Sequence, residues 1–139
     1  MAEDEHSFDV KVLTPEGEVF SGDVEQVSTR TGTGEIGVRA MHAPLLGALE
    51  PTELRLHLAK GEVERYAQAH GWIQVFGNHA LVLVEEAIPP DQLDSSSLRE
   101  QLEDAEQRLG EAEEHSAAHN RAEKDKRRAQ AFLAIAEGS

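Results

Sequence analysis

The chain changes its hydrophobic period once, at Ile88-Pro89-Pro90, and that change decides what it can fold into. Two consecutive prolines lock φ and push the preceding residue to extended backbone, so no regular element runs through them. Before the prolines the apolar residues alternate or come in short runs. Phe8, Val10 and Val12 alternate, Pro15-Glu16-Gly17-Glu18 reads as a turn, and Val19-Phe20 resumes the extended pattern. Val24 and Val27 lie in a stretch that ends at the Gly-rich residues 31–34. Leu54, Leu56 and Leu58 alternate strictly, and Lys60-Gly61-Glu62 turns the chain into residues 63–69. Trp72, Ile73, Val75 and Phe76 form the next run, Gly77-Asn78 a turn, and residues 81–84 another run. Many short strands at this spacing predict an all-β, antiparallel sandwich or barrel over residues 1–88.

After a linker at 89–96 the period becomes helical over 97–139. Ser97-Leu98-Arg99-Glu100 fits a capping box, in which the Ser oxygen accepts from the third helical N–H and Glu100 reaches back. Leu98, Leu102, Ala105, Leu109 and Ala112 then step by fours and threes along one face. A break falls at 114–119, and Asn120-Arg121-Ala122-Glu123 offers a second N-cap. Ala122, Ala129, Phe132, Leu133 and Ala136 make a second apolar face. The two faces predict an antiparallel hairpin with arms of about 17 residues, each roughly 25 Å long. The expected order is therefore a β domain followed by a segregated α-helical hairpin.

Composition narrows the function. A length of 139 residues allows one domain and an appendage. A net charge of −14 sets the chain against phosphate backbones, so nucleic acid is excluded as the main partner. No cysteine is present, which removes disulfides and Cys-based zinc sites. No apolar run reaches membrane-spanning length, and the start, Met1-Ala2-Glu3-Asp4-Glu5-His6, is acidic where targeting peptides are basic. Membrane association is therefore expected only through another protein, with no direct insertion.

Three motifs invite chemistry and are better read as structure. Gly32-Thr33-Gly34-Glu35-Ile36-Gly37 satisfies G-x-G-x-x-G, but that fingerprint needs a helix N-terminus directly after it to hold a pyrophosphate. Here Pro44 follows seven residues on and no helical face begins, so the glycines serve a strand-to-strand turn. His115 and His119 have the spacing of two zinc ligands on one helix face, yet no third or fourth ligand accompanies them, and no metal is assigned. No nucleophile–base arrangement stands out, so no catalytic residue and no cofactor are assigned. The helical tail carries opposite charges on its arms. Residues 98–114 hold seven acidic side chains, while Arg121, Lys124, Lys126, Arg127 and Arg128 crowd the second arm. Pairing between the arms would favour the hairpin by tenths of a kcal/mol per exposed pair.

Taken in order, Phe20-Ser21-Gly22-Asp23-Val24-Glu25, Gly34-Glu35-Ile36-Gly37-Val38 and His42-Ala43-Pro44-Leu45-Leu46 resemble the epsilon subunit of bacterial F-type ATP synthases. Gly71-Trp72-Ile73, Val82-Leu83-Val84, Ala105-Glu106-Gln107-Arg108-Leu109 and Arg128-Ala129 extend the resemblance from about Phe8 to Ile135. Many relatives carry Pro-Gly before the histidine where this chain has Ala40-Met41, so that loop is expected to differ in shape.

The resemblance implies a non-catalytic central-stalk component of a proton-translocating complex, on the cytoplasmic face of the plasma membrane. It places Thr31, Gly32, Thr33, Gly34 and Glu35 against the c-ring of the membrane sector and His42 near the gamma subunit. It implies that the basic helix, with Arg121, Lys124, Lys126, Arg127 and Arg128, can leave the sandwich, extend along gamma and meet acidic segments of the beta subunits in the alpha–beta head. There it would brake ATP hydrolysis. Some relatives bind ATP at this tail through Ile/Leu-Asp-x-x-Arg-Ala and arginines of the second helix. Leu93, Asp94 and Arg128 match, but Ser97 and Leu98 replace Arg and Ala, and Phe132 stands for an arginine, which predicts no or very weak ATP binding. Two other classes fit the same features: a stand-alone adaptor of another complex, and a nucleotide-sensing module built on the tail.

Overall fold

The computed structural model describes residues 6–138; the acidic start at 1–5 lies outside the described residues. The strands are β1 (Phe8–Thr14), β2 (Gly17–Val24), β3 (Gln26–Thr31), β4 (Gly34–Arg39), β5 (Leu45–Leu49), β6 (Thr52–His57), β7 (Val63–Gln68), β8 (Gly71–Phe76), β9 (His79–Val84) and β10 (Ala87–Ile88). The helices are α1 (Ser95–Glu111) and α2 (Ala117–Gly138). The β-then-α order read from the change of period is the order found.

The strands follow the path β10-β7-β6-β3-β5-β8-β9-β1-β2, with β4 on the free side of β3. A single residue pair, Thr31↔Leu49, joins β3 to β5, and there the path folds over into two layers. One layer holds β4, β3, β6, β7 and β10, the other β5, β8, β9, β1 and β2. β5 feeds β6 through Glu50-Pro51, so one continuous piece of chain serves both layers. Inward residues alternate along each strand as the sequence pattern requires. Val10, Val12, Ile73, Val75 and Val82 from one layer meet Val27, Val38, Leu54 and Leu56 from the other, all nearly or fully buried. Fully burying each such side chain contributes about 1.5–3 kcal/mol.

Turn chemistry sets the registers. Gly77 and Asn78 take φ of 57° and 63°, both in the left-handed region, as a two-residue type I′ hairpin between Phe76 and His79 demands. Gly32-Thr33 closes the β3–β4 hairpin between Thr31 and Gly34, so the apparent dinucleotide fingerprint is a strand turn and no helix follows it. One pairing departs from the expected antiparallel pattern: β1 runs parallel to β9, from Asp9↔His79 to Leu13↔Leu83. The first strand is thus inserted beside the last long one.

The helical boundaries lie slightly earlier than the capping box suggested. Asp94, not Ser97, caps α1, its Oδ1 accepting from the amides of Ser96 at 3.0 Å and Ser97 at 3.4 Å. An acid three residues closer to Pro90 takes the cap first, and the linker shrinks accordingly. Likewise Ser116 rather than Asn120 caps α2: its Oγ accepts from the His119 amide at 3.0 Å, and Asn120 falls inside the helix. The hairpin rests on the sandwich through a second apolar cluster in which Leu98 and Phe132 cover Ala67 and Ala69.

Gly71 shows how tight the β8–β9 pairing is. A Cβ built there would lie 1.9 Å from the Leu83 carbonyl oxygen and 2.7 Å from Val84 Cα, both backbone atoms. Gly71→Ala is expected to cost about 1–3 kcal/mol or more, since backbone on both sides must move. Urea unfolding that matches the parent chain would contradict this register.

Candidate functional site: a two-sided head and a charged latch

Trp72 and Phe76 share the outward side of β8, while Ile73 and Val75 point into the core. A strand apolar on both sides is normally covered on both sides. Here the second side is open: Trp72 is 54% exposed, Phe76 68%, Leu46 69% and Leu83 43%. Register gathers them. Ala48, Trp72, Leu83 and Leu13 form one cross-strand row, and Leu46, Gln74, Leu81 and Lys11 the next. The result is an apolar outer face on the β5-β8-β9-β1 layer. It runs into a groove of about 640 Å³ floored by Trp72, Leu83 and Ala48 and bordered by Lys124 of α2. Contiguous exposed apolar faces of this kind mark interaction surfaces.

The residues assigned to partners by resemblance lie at the two ends of this head. Thr31, Gly32, Thr33, Gly34 and Glu35 form the tip of the β3–β4 hairpin. Thr31 Oγ1 lies 3.0 Å from Thr33 Oγ1 and accepts from the Thr33 amide at 3.3 Å, and Glu35 pairs with Arg30 at 3.1 Å. His42 lies beyond the other end of β4, about 20 Å away at the rise of an extended strand. It is exposed, with Nδ1 2.6 Å from the Ala43 carbonyl oxygen. In the loop before it Met41 takes φ of 66°, and its amide donates to Asn78 Oδ1 at 2.8 Å. A left-handed conformation in which glycine is comfortable is held here by a methionine. That bond also sets the His42 loop beside Phe76 at the edge of the apolar face. The hairpin tip and His42 are not brought together.

The basic residues of α2 behave differently from the expected pairing of oppositely charged arms. Lys124 Nζ reaches Glu85 at 2.7 Å, Arg127 reaches Glu50 at 3.4 Å, and Arg128 makes a bidentate pair with Glu86, one bond at 3.0 Å. All three carboxylates belong to the sandwich side. The ion pairs that do cross between the helices have the reverse polarity: Arg108 of α1 with Asp125 of α2 at 3.0 Å, and Arg99 with Glu137. Positions 124, 127 and 128 share a helical face; 124 and 127 look at the sheet, and 128 lies at the seam between the sheet and α1. Among the described residues no ion pair is found for Arg121 or Lys126.

Arg128 is the most committed side chain. Besides Glu86 it donates to Gln101 Oε1 at 2.8 Å and lies 4.6 Å above the Phe132 ring. Asp94, the other residue of the degenerate nucleotide motif, spends its carboxylate on the α1 cap. His115 and His119 face each other with ring centroids 6.4 Å apart; among the described residues no group of three or more His, Asp or Glu is placed to hold a metal. The carboxylate partners Glu50, Glu85 and Glu86 and the apolar face were missed from the sequence. The signal for the face was present, since Trp72 and Phe76 have the opposite parity to Ile73 and Val75. For the carboxylates there was none among so many acids.

Residues 7–90 match the ATP synthase Delta/Epsilon chain beta-sandwich domain family. The chain is 38% identical to the ATP synthase epsilon chain of Sulfurihydrogenibium sp. over 125 residues, covering 90% of this chain and 93% of that one. It is also 38% identical to the ATP synthase epsilon chain of Persephonella marina over 130 residues, covering 93% and 96%. Among solved structures it superposes on a chain of the Euglena gracilis mitochondrial ATP synthase with a TM-score of 0.80 at 21% identity, over 93% of this chain and 81% of that one, a likeness of fold. No helix among the described residues is long and apolar enough to cross a membrane. The chain belongs to the epsilon-chain family of ATP synthases, the non-catalytic stalk subunits of that complex.

Proposed function

We propose that the chain is a rotor subunit of a bacterial proton-translocating ATP synthase, held at the cytoplasmic face of the plasma membrane by its partners. In this reading the β head clamps gamma with the apolar outer face of β5, β8 and β9, and His42 contacts gamma at the rim of that face. The tip residues Thr31, Gly32, Thr33, Gly34 and Glu35 rest on the c-ring. The sandwich transmits torque as a rigid block. The observation that carries the reading is the apolar face itself, whose exposed Trp72 and Phe76 are affordable in solution only with a constant partner. Its position between the His42 loop and the hairpin tip lets one rigid body touch two partners.

The helical hairpin is the regulatory part. Few large side chains hold it to the sandwich, chiefly Leu98 and Phe132, contributing about 1.5–3 kcal/mol each. Partly exposed ion pairs add about 0–1 kcal/mol apiece. Ordering entropy opposes them, so docked and released states are close in free energy, as a population switch requires. Lys124, Arg127 and Arg128 are neutralised by Glu85, Glu50 and Glu86 while docked. Released, the same cations are available to the acidic segments of the beta subunits, and ATP hydrolysis stops.

Three outcomes test this. Trp72→Glu or Phe76→Glu should weaken capture of gamma by about 2 kcal/mol, roughly thirtyfold, with unchanged melting of the isolated chain; undiminished capture would move the clamp elsewhere. Glu86→Gln leaves every cation of α2 in place but loosens the docked state by about 1 kcal/mol. In the reconstituted complex it should deepen inhibition of hydrolysis and spare synthesis, and unchanged hydrolysis would count against the switch. Calorimetric titration with ATP should show no sub-millimolar binding, because Asp94 and Arg128 already have protein partners and Phe132 replaces a guanidinium.

A further inference from the structure

Between α2 and the sandwich lies one titratable group that the latch described above does not use. His70 sits in the turn from β7 to β8, where its carbonyl accepts from the Glu85 amide at 3.0 Å and fixes the backbone. Its side chain is only 18% exposed. Nε2 stands 3.7 Å from Glu50 Oε1, the same oxygen that Arg127 Nη1 approaches at 3.4 Å. Glu85, paired to Lys124 at 2.7 Å, shares the groove wall with His70.

We propose that His70 is the proton sensor of the hairpin: taking up a proton at Nε2, it competes with Lys124 and Arg127 for the carboxylates of Glu50 and Glu85 and releases α2 from the sandwich. This rests on the reading of the hairpin as movable, and adds what moves it.

Counting charges carries the inference. The groups facing His70 are Glu50 at the end of β5, Glu85 after β9, and Lys124 and Arg127 on α2. With a neutral imidazole, two carboxylates meet two cations and the seam is balanced. A protonated imidazole, on a side chain only 18% exposed, makes a third cation in that seam. If α2 lifts away, both of its cations leave, and His70 remains beside two unneutralised carboxylates in wetter surroundings. The lifted state therefore holds the proton more tightly than the docked state, and by linkage the proton favours lifting.

The docked imidazole is displaced in the direction this requires. Burial pushes it below its ordinary value of 6.5; Glu50 and Glu85 pull it back up, while Lys124 and Arg127 press it down again. A histidine lowered in the docked state supports docking fully above that ordinary value and withdraws its support as the pH falls below it. Cytoplasmic acidification would then extend the basic helix and brake hydrolysis.

The test uses the full chain, which has no cysteine of its own. Fluorophores on cysteines replacing the exposed Glu16 and Ala134 report docking by energy transfer, and Glu50→Gln, Glu85→Gln and Glu86→Gln together provide a released reference. From about pH 7.5 to about pH 5.5 the released-to-docked ratio of the parent should rise roughly threefold to tenfold, and His70→Asn or His70→Gln should abolish the rise. Thermal melts of both variants check that the sandwich is intact. An equal rise in both variants overturns the sensor. So does a flat parent alongside a released triple variant, which leaves the movable hairpin standing. A triple variant that stays docked at every pH overturns both readings.

Discussion

The geometry of the head depends on one buried amide. Gln68 is fully buried at the end of β7, and its Nε2 donates to the Glu50 carbonyl at 2.8 Å and the Ala69 carbonyl at 3.1 Å, while its Oε1 accepts from Thr29 at 2.5 Å. Glu50 is where β5 leaves one layer and becomes β6 in the other, so a corner of unpaired backbone would otherwise be buried without partners. Thr29, on β3 of the same layer, closes the set. A single side chain thus satisfies the corner at which the path passes from one layer to the other.

The same corner organises the surface above it. Holding the Glu50 backbone places its carboxylate at the seam with α2, within reach of Arg127 and His70. Holding Ala69 places the floor on which Phe132 lies. The head therefore presents two unlike sides from one core. The apolar face of β5 and β8 suits a permanent partner, because its exposed Leu46, Trp72 and Phe76 carry no charge that could undo the contact. The side facing the hairpin is made of small residues and ion pairs, which suits an attachment that can be undone. Permanence and reversibility are separated by which layer carries them.

Most of the fold was legible in the sequence because it rests on local signals. Alternation at Phe8, Val10 and Val12, the Gly77-Asn78 turn and the double proline each act over a few residues, and each element appeared where its signal lay. The helix caps slipped because several polar residues competed: Asp94 precedes three serines, and Ser116 precedes Asn120, so the earlier residue took the bond in both cases. The parallel β1–β9 pair was invisible, since nothing in either strand specifies a neighbour so far along the chain. The charged latch was misassigned for a related reason. Seven acids on one arm and five bases on the other suggest that the arms pair, yet the facing surface is chosen by the apolar stripe of Ala122, Ala129 and Phe132, which turns Lys124 and Arg127 toward the sheet. Charge followed packing.

The insertion of β1 beside β9 has a consequence during synthesis. Asp9 and His79, a register pair, are 70 residues apart. A nascent chain that has emerged only as far as β8 can close the β1–β2 and β3–β4 hairpins, but β1 keeps one edge open until β9 follows. That edge carries Val10 and Val12, residues destined for the core. The head must therefore condense late, after its final long strand is free of the exit tunnel, and long-range closure of this sort is slow. Abundant negative charge elsewhere on the chain helps to keep such waiting intermediates apart.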